Sequence, residues 1–278
     1  MKYLHLDQSF TPFQKSIAYE EFTFNGGEPH IKIKEAIDIN EPLLITCRPR
    51  SFNDLGLLFM AVNALKLIGV KELQLLMPYF PGARQDRVMV KGEAFSLKVY
   101  ASLINQLNLN RVIILDPHSD VCPALLDQVL VIDQIPFVRK LQMEIKEKHL
   151  ISPDAGVLKK TFKLAKALKA DSIIECSKVR DIETGRLSAF TVHADNLRGK
   201  TCVIVDDICD GGGTFLGLAK ALKEKNAGKL ILIVTHGIFS KGSERLAAAF
   251  DEIYTTDSFQ TLNDTNITQI NIETFINL

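Results

Sequence analysis

Residues 201–220 read TCVIVDDICDGGGTFLGLAK. Thr201, Cys202, Val203, Ile204 and Val205 form a β-branched apolar run that predicts a buried strand. Asp206 and Asp207 end it, and Gly211, Gly212, Gly213 and Thr214 lead into helical spacing from Phe215 onward. Strand, acid pair, glycine loop and helix follow one another, which is the unit of an α/β sheet. Glycines let backbone N–H groups converge with no Cβ in the way, and the helix start adds the positive end of its dipole. The loop is therefore an anion nest suited to a phosphate. The two upstream carboxylates would repel that phosphate, and sugar hydroxyls or a metal ion suit them better. The outline is that of a phosphorylated sugar.

Neighbouring motifs fail on single residues. Gly199-Lys200-Thr201 fits the end of a P-loop, but Ala194 replaces its first glycine and the triplet opens a strand. Leu216 stands where the last glycine of a dinucleotide fingerprint would fall. An ordinary glycine-rich turn with two solvated aspartates is the plain alternative, and the acid pair in register with Thr214 argues against it. The stretch resembles the phosphoribosyl-diphosphate-binding motif of the type I phosphoribosyltransferase fold.

The chain has 278 residues, with 33 Lys plus Arg against 33 Asp plus Glu. That length suits one large domain or two ordinary ones, and the balanced charge gives no field favouring nucleic acid or an anionic membrane. No apolar run approaches the roughly 20 residues of a membrane span, and Met1-Lys2-Tyr3-Leu4-His5 lacks the apolar core of a signal peptide, so a cytoplasmic protein is expected. Cys47, Cys122, Cys176, Cys202 and Cys209 are odd in number and follow no zinc or disulfide spacing, which reads as reduced thiols. Cys209, placed in the phosphate loop, reads as a small filler.

Taken in order, residues 31–45 predict short strands around Asn40-Glu41-Pro42. Residues 52–68 carry Leu55, Leu58, Phe59, Val62, Leu65 and Ile68 at helical spacing, with Ser51 or Asn53 as cap and Gly69 as stop. A strand over 73–77, a helix over 96–107 and a strand over 112–115 follow. The alternation restarts with a helix over 161–168 and strands over 172–175, 203–206, 230–235 and 252–255. This predicts parallel sheets covered on both faces. Ala64-Leu65-Lys66 and Ala221-Leu222-Lys223, each followed by a glycine, a lysine and a strand, suggest two similar α/β domains. The polar stretch 139–148 is the natural boundary, giving domains of 1–138 and 139–278.

Ligands of α/β sheets collect beyond the carboxyl ends of strands, and four polar clusters fall there. Pro78-Tyr79-Phe80-Pro81-Gly82-Ala83-Arg84-Gln85-Asp86-Arg87 could grip a polyphosphate and read a base edge, or form a solvated loop of Arg–Asp pairs. Asp116-Pro117-His118-Ser119-Asp120 could complete a hard-metal site, or hold a polar loop histidine. In Ser152-Pro153-Asp154-Ala155-Gly156 the carboxylate alone reads as a helix cap. Lys178 and Arg180 alternate with Val179 and could clamp a transferring phosphate, or sit as exposed basic residues.

In this order the segments resemble the ribose-phosphate diphosphokinase, or phosphoribosyl-diphosphate synthetase, family over about residues 22–243. Ala83-Arg84-Gln85-Asp86-Arg87 matches the family's ARQDR segment, a highly specific motif. Asp116-Pro117-His118 is similar to its metal-binding Asp-x-His, and Ser152-Pro153-Asp154 to the turn of its second metal contact. Lys178-x-Arg180 stands at its catalytic Lys-Arg-Arg, and Thr235-His236 with Ser240 and Gly242 resembles its downstream Thr-His segment. Phe24 with Gly27-Glu28 is similar to a hairpin that reaches a neighbouring subunit's adenine.

The resemblance implies transfer of the diphosphoryl group of ATP to O1 of ribose 5-phosphate, giving phosphoribosyl diphosphate and AMP for nucleotide and NAD biosynthesis. It implies Mg2+ contacted by His118 and Asp154, catalysis by Lys178 and Arg180, and ATP held by Phe24, Glu28, Arg84, Gln85 and Asp86. Asp206 and Asp207 would hold the ribose hydroxyls, and Asp210, Gly211, Gly212, Gly213 and Thr214 the 5-phosphate. A homodimer or higher homo-oligomer is expected, with no nucleic-acid or membrane partner.

Departures bear on that transfer of roles. Val88-Met89-Val90-Lys91-Gly92-Glu93 stands where the family has several arginines in a loop thought to close over the site. Val179 interrupts the basic triplet, Val157 replaces a glycine after Asp154, and Gly211 replaces a threonine. Cys47-Arg48-Pro49-Arg50 is a poor match to the allosteric phosphate site, so ADP and phosphate regulation and the usual hexamer are not carried over. Two rivals remain. A phosphoribosyltransferase that uses the product would need neither the ARQDR segment nor Lys178-x-Arg180. A silent synthetase-associated regulatory subunit would have no need of His118, Asp154, Lys178 and Arg180 together.

Overall fold

The structure, a computed structural model, describes residues 1–14, 16–142, 147–180 and 187–278, with the side chains of 179, 180 and 187–189 outside that description. Two compact units emerge: Met1–Asp133 with Ser258–Thr261, and Gln134–Asp257 with Leu262–Leu278.

The first unit opens with β1 (Lys2–His5), then the hairpin strands β2 (Tyr19–Thr23) and β3 (Pro29–Ile33). β4 (Leu43–Thr46), α1 (Phe52–Ile68), β5 (Leu73–Leu76), α2 (Ser96–Asn105), β6 (Arg111–Leu115), α3 (Val121–Leu125) and β7 (Val129–Ile132) follow. Its main sheet is parallel throughout, in the order β1-β4-β5-β6-β7. β4 and β5 are buried at every position, as central parallel strands covered on both faces require. α1 starts where the sequence expects: Ser51 Oγ accepts from Asp54 N–H at 3.2 Å while Asp54 accepts from Ser51 N–H at 2.8 Å, a reciprocal capping box. Gly69 stops it at φ 99°, a left-handed conformation that a Cβ would strain. α1 buries Leu55, Leu58, Val62 and Leu65 in a core shared with Leu43, Ile45 and Leu75.

The second unit runs α4 (Ile135–Lys140), β8 (His149–Ser152), α5 (Leu158–Leu168), β9 (Ser172–Arg180), β10 (Leu187–Val192), β11 (Cys202–Cys209), α6 (Gly213–Glu224), β12 (Leu230–Gly237), α7 (Glu244–Ala247), β13 (Glu252–Thr256), β14 (Thr268–Ile270) and a 3-10 turn at Ile272–Thr274. Its sheet order is β10-β9-β8-β11-β12-β13-β14, parallel except for the antiparallel edge pair β10–β9. Two clusters cover its faces, one with Leu218, Leu222, Leu232 and Ile204, the other with Phe137, Val138, Leu150, Leu164 and Val203. The chain is thus α/β, with two mainly parallel sheets flanked by helices.

Differences from the sequence reading have physical causes. α4 packs Phe137 and Val138 into the second core, so residues 135–138 belong with the second sheet rather than the first. Of the polar stretch 139–148, residues 143–146 lie outside the described residues. The acid pair does not end its strand: β11 continues to Cys209 because β12 keeps pairing with it, Asp206 opposite Val234 and Cys209 opposite Gly237. β9 likewise runs past Glu175 because β10 supplies a partner, Lys178 opposite Phe190. No helix among the described residues is long and apolar enough to cross a membrane.

Candidate functional site

The end of β11 is built by unequal pairing. β8 pairs with β11 only from Cys202 to Ile204, whereas β12 follows it to Cys209. Asp206 and Asp207 therefore sit where one flank of the strand has lost its ladder, and their carboxyls lie within reach of one another. Asp207 N–H donates to Asp206 Oδ1 at 2.9 Å. Burial, then the charge and hydrogen bonding of Asp207, push the Asp206 carboxyl well above the usual carboxylate range, with Asp154 adding to the repulsion. A pair arranged this way holds a proton, or takes up groups that donate to it. Sugar hydroxyls and metal ions both qualify.

Beyond the pair, Gly212 caps α6 at φ 73° with no side chain to bond the first turn. The N–H groups of that turn are thereby open to an anion. A Cβ on Gly212 would come within 3.1 Å of Leu246, so packing as well as backbone conformation selects glycine there. Cys209 is the last residue of β11 rather than part of the loop, and burial pushes its thiol up to about 12. Buried at the strand end, it reads as a small filler.

Asp154 follows β8 and works with both oxygens. Oδ1 accepts from Gly156 N–H at 2.8 Å and Val157 N–H at 3.3 Å, which steers the chain into α5. Oδ2 meets Lys178 Nζ at 2.5 Å. The cap reading of Asp154 and the clamp reading of Lys178 thus meet in one ion pair. Arg180 closes the β9 ladder opposite Leu187, and its side chain is outside the described residues.

In the first unit, Gly82 at φ 72° lies so close to Tyr100 and Leu97 that a Cβ would collide, and this turn presents Arg84 and Gln85 on the surface. Asp86 is buried instead. Arg87 grips it through Nε at 2.9 Å and Nη2 at 3.3 Å. These bonds hold the Asp86 carboxyl below its usual range, with help from His118. His118 is exposed just past β6, after Asp116, which turns the chain at φ 39°. Arg84, Gln85, Asp86 and His118 therefore gather around the ends of the adjacent strands β5 and β6.

The β2–β3 hairpin closes through Phe24 N–H to the Glu28 carbonyl at 2.9 Å, leaving Glu28 exposed at the turn. Phe22 and Phe24 are 43% and 52% exposed, and their rings lie 5.0 Å apart. His30, directly opposite Phe22 in the register, lies 5.1 Å from Phe22 and 5.6 Å from Phe24. An exposed three-ring surface suits a flat partner such as a base. Sequence reading picked out Phe24 and missed Phe22 and His30; the signal was the alternation of Phe22 with Phe24 and the pairing across the turn.

Among the described residues no three or more His, Cys, Asp or Glu side chains converge on a metal position. A magnesium ion takes one or two carboxylates and completes its shell with water and substrate phosphates. Asp154 offers the hard oxygen such an ion prefers.

Residues 141–270 match the phosphoribosyl transferase domain family, and residues 14–107 match the N-terminal domain of ribose phosphate pyrophosphokinase. The ribose-phosphate pyrophosphokinase of a Marinomonas species is 32% identical over 266 residues, 90% of this chain and 82% of that protein. Ribose-phosphate pyrophosphokinase 1 of Listeria monocytogenes is 34% identical over 226 residues, covering 78% of this chain and 69% of its own length. The crystal structure of phosphoribosylpyrophosphate synthetase from Mycobacterium smegmatis superposes with a TM-score of 0.81 at 24% identity, over 94% of this chain and 88% of that one.

Proposed function

The chain belongs to the ribose-phosphate pyrophosphokinase family, enzymes of phosphoribosyl diphosphate synthesis, and on that premise we propose that it transfers the diphosphoryl group of ATP to O1 of ribose 5-phosphate, releasing AMP. The observation that carries the reading is the end of β11, where an adjacent acid pair feeds straight into a glycine-capped helix start. A phosphorylated sugar satisfies both at once: its hydroxyls donate to Asp206 and Asp207, and its phosphate accepts from the N–H groups at the start of α6.

Attack of O1 on the β-phosphorus needs alignment and charge stabilisation more than covalent help. Lys178 stabilises the charge that develops between the attacking and leaving oxygens, joined by Arg180. Asp154 orients the Lys178 ammonium. Arg84 and Gln85 grip the nucleotide, Asp86 fixes Arg87 beside them, and Phe24 with Glu28 receives the base of a neighbouring copy's ATP. Magnesium would supply positive charge to the triphosphate, with His118 of the first unit and Asp154 of the second as its candidate contacts. On this reading the first unit is the ATP and metal side and the second the ribose 5-phosphate side, in a cytoplasmic homo-oligomer serving nucleotide and NAD biosynthesis.

The test is AMP release from ATP and magnesium with and without ribose 5-phosphate. AMP formed only with the sugar phosphate is expected, and Lys178→Ala should lower turnover by at least about 100-fold. A folded, magnesium-replete protein that forms none would be a silent regulatory subunit instead. The Lys178–Asp154 ion pair supports the active reading, since a silent subunit would have no need of it.

A further inference from the structure

We propose that Lys241 is an additional phosphate-binding residue, its ammonium supplying the cation over the glycine loop that receives the sugar 5-phosphate. The proposal rests on the reading above and names a residue that neither the motif nor the strand pattern singled out.

Three observations place it. The connection between β12 and α7 is fastened to the end of β11: Ile238 and Phe239 N–H groups both donate to the Cys209 carbonyl, at 2.9 and 3.1 Å, and Ser240 Oγ donates to Asp210 Oδ1 at 2.6 Å. Those bonds set Lys241 across Gly211. A Cβ built on Gly211 would lie 3.4 Å from Lys241 Cδ, 3.5 Å from Cε and 3.7 Å from Cγ, so the lysine stem runs along the face that glycine leaves bare. The ammonium, one bond beyond Cε, is thereby held at the loop.

Charge gives it a purpose. Asp207 and Asp210 are carboxylates beside the loop, and they oppose a phosphate dianion. The helix start offers only about half a positive charge against them. Lys178 is already paired with Asp154. A lysine laid over the nest supplies a full point charge where the anion sits. Lys241 is exposed and belongs to neither hydrophobic cluster of its unit, so its removal leaves the core intact. A solvated lysine whose stem merely covers glycine would share the packing and lack the function.

Steady-state kinetics of the full-length protein separate the two. Lys241→Met keeps an apolar stem and loses the charge; Lys241→Arg keeps both. The Met variant is expected to raise KM for ribose 5-phosphate about tenfold, with KM for ATP within about twofold, and the Arg variant to stay within about threefold of wild type. An unchanged KM for ribose 5-phosphate in the Met variant, or an equal rise in both KM values, overturns the assignment. Calorimetric titration of ribose 5-phosphate without ATP distinguishes the layers of inference. Wild-type protein that fails to bind it overturns the underlying sugar-phosphate reading. Wild-type binding that the Met variant matches overturns the lysine assignment alone.

Discussion

Arg48 illustrates how one residue's surroundings settle its role. Sequence alone leaves Cys47-Arg48-Pro49-Arg50 as a weak anion-site match, yet the guanidinium is buried and committed. It bonds Asp7 through Nε at 2.8 Å and Nη2 at 2.7 Å, reaches Ser9 Oγ at 2.7 Å, and stacks 4.5 Å over the Phe10 ring. Removing the guanidinium takes the cation from a partly buried carboxylate that keeps only its Ser9 bonds, so Arg48→Ala should destabilise the protein by about 1.5–3 kcal/mol in chemical denaturation. A loss below about 1 kcal/mol would show the pair to be incidental. Although burial pushes the Asp7 carboxyl up, Ser9 and Arg48 outweigh it and hold the group below its usual range. Its contribution is therefore present above the unfolded pKa and lost as pH falls through the lower folded one. Asp206 has the opposite sign. Its raised pKa means that the folded state keeps a proton the unfolded chain has lost, so stability falls as pH rises from the ordinary carboxylate range toward the folded value. Donation from ribose hydroxyls favours the ionised pair, and ribose 5-phosphate binding should release a proton in that window. Calorimetry in buffers of different ionisation heat should detect the release in wild type and a smaller one in Asp207→Asn, where the repelling charge is gone; equal release in both would sever Asp206 from the ligand.

At the scale of elements, the ends of strands matter most. The strand cores over 73–76, 112–115 and 230–235 were legible because parallel strands covered on both faces are continuous apolar runs. Their polar extensions were not: Asp206, Asp207 and Lys178 lie in strands only because β12 and β10 offer ladder partners, which no local pattern records. The same limit hid the meeting of Asp154 with Lys178, 24 residues apart in sequence and joined by the parallel pairing of β8 with β9. The glycine loop was legible as a nest, and its capping residue can now be assigned. Gly212 carries the left-handed φ and faces Leu246, whereas Gly213 has open space around the position of a Cβ. Gly212→Ala should cost roughly 1–2 kcal/mol through the backbone alone and weaken ribose 5-phosphate binding, since the helix start must shift. Gly213→Ala should be close to neutral for stability. Equal thermal midpoints for the two variants would contradict this division of labour.

Across the whole molecule, balanced charge means that the proposed affinity for two polyanions must come from local construction, and on that reading the two units carry different parts of it. Arg84, Gln85 and His118 belong to the first unit, and Asp206, Asp207 and the α6 start to the second. On the proposed reading each set answers one ligand chemistry, polyphosphate in the first case and a phosphorylated sugar in the second. Thermal unfolding with single ligands tests that division without needing turnover. A ligand at 100 times its Kd stabilises the folded state by about 2.7 kcal/mol. At roughly 2–4 °C per kcal/mol, that is a shift of several degrees. Wild-type protein should show one shift with ribose 5-phosphate alone and another with magnesium and ATP alone. Asp207→Ala should lose the first and keep the second, and Arg84→Ala should do the reverse. If either variant lost both shifts while keeping its ligand-free midpoint, the two chemistries could not be assigned to separate units, and the sugar and nucleotide roles argued for these residues would have to be merged.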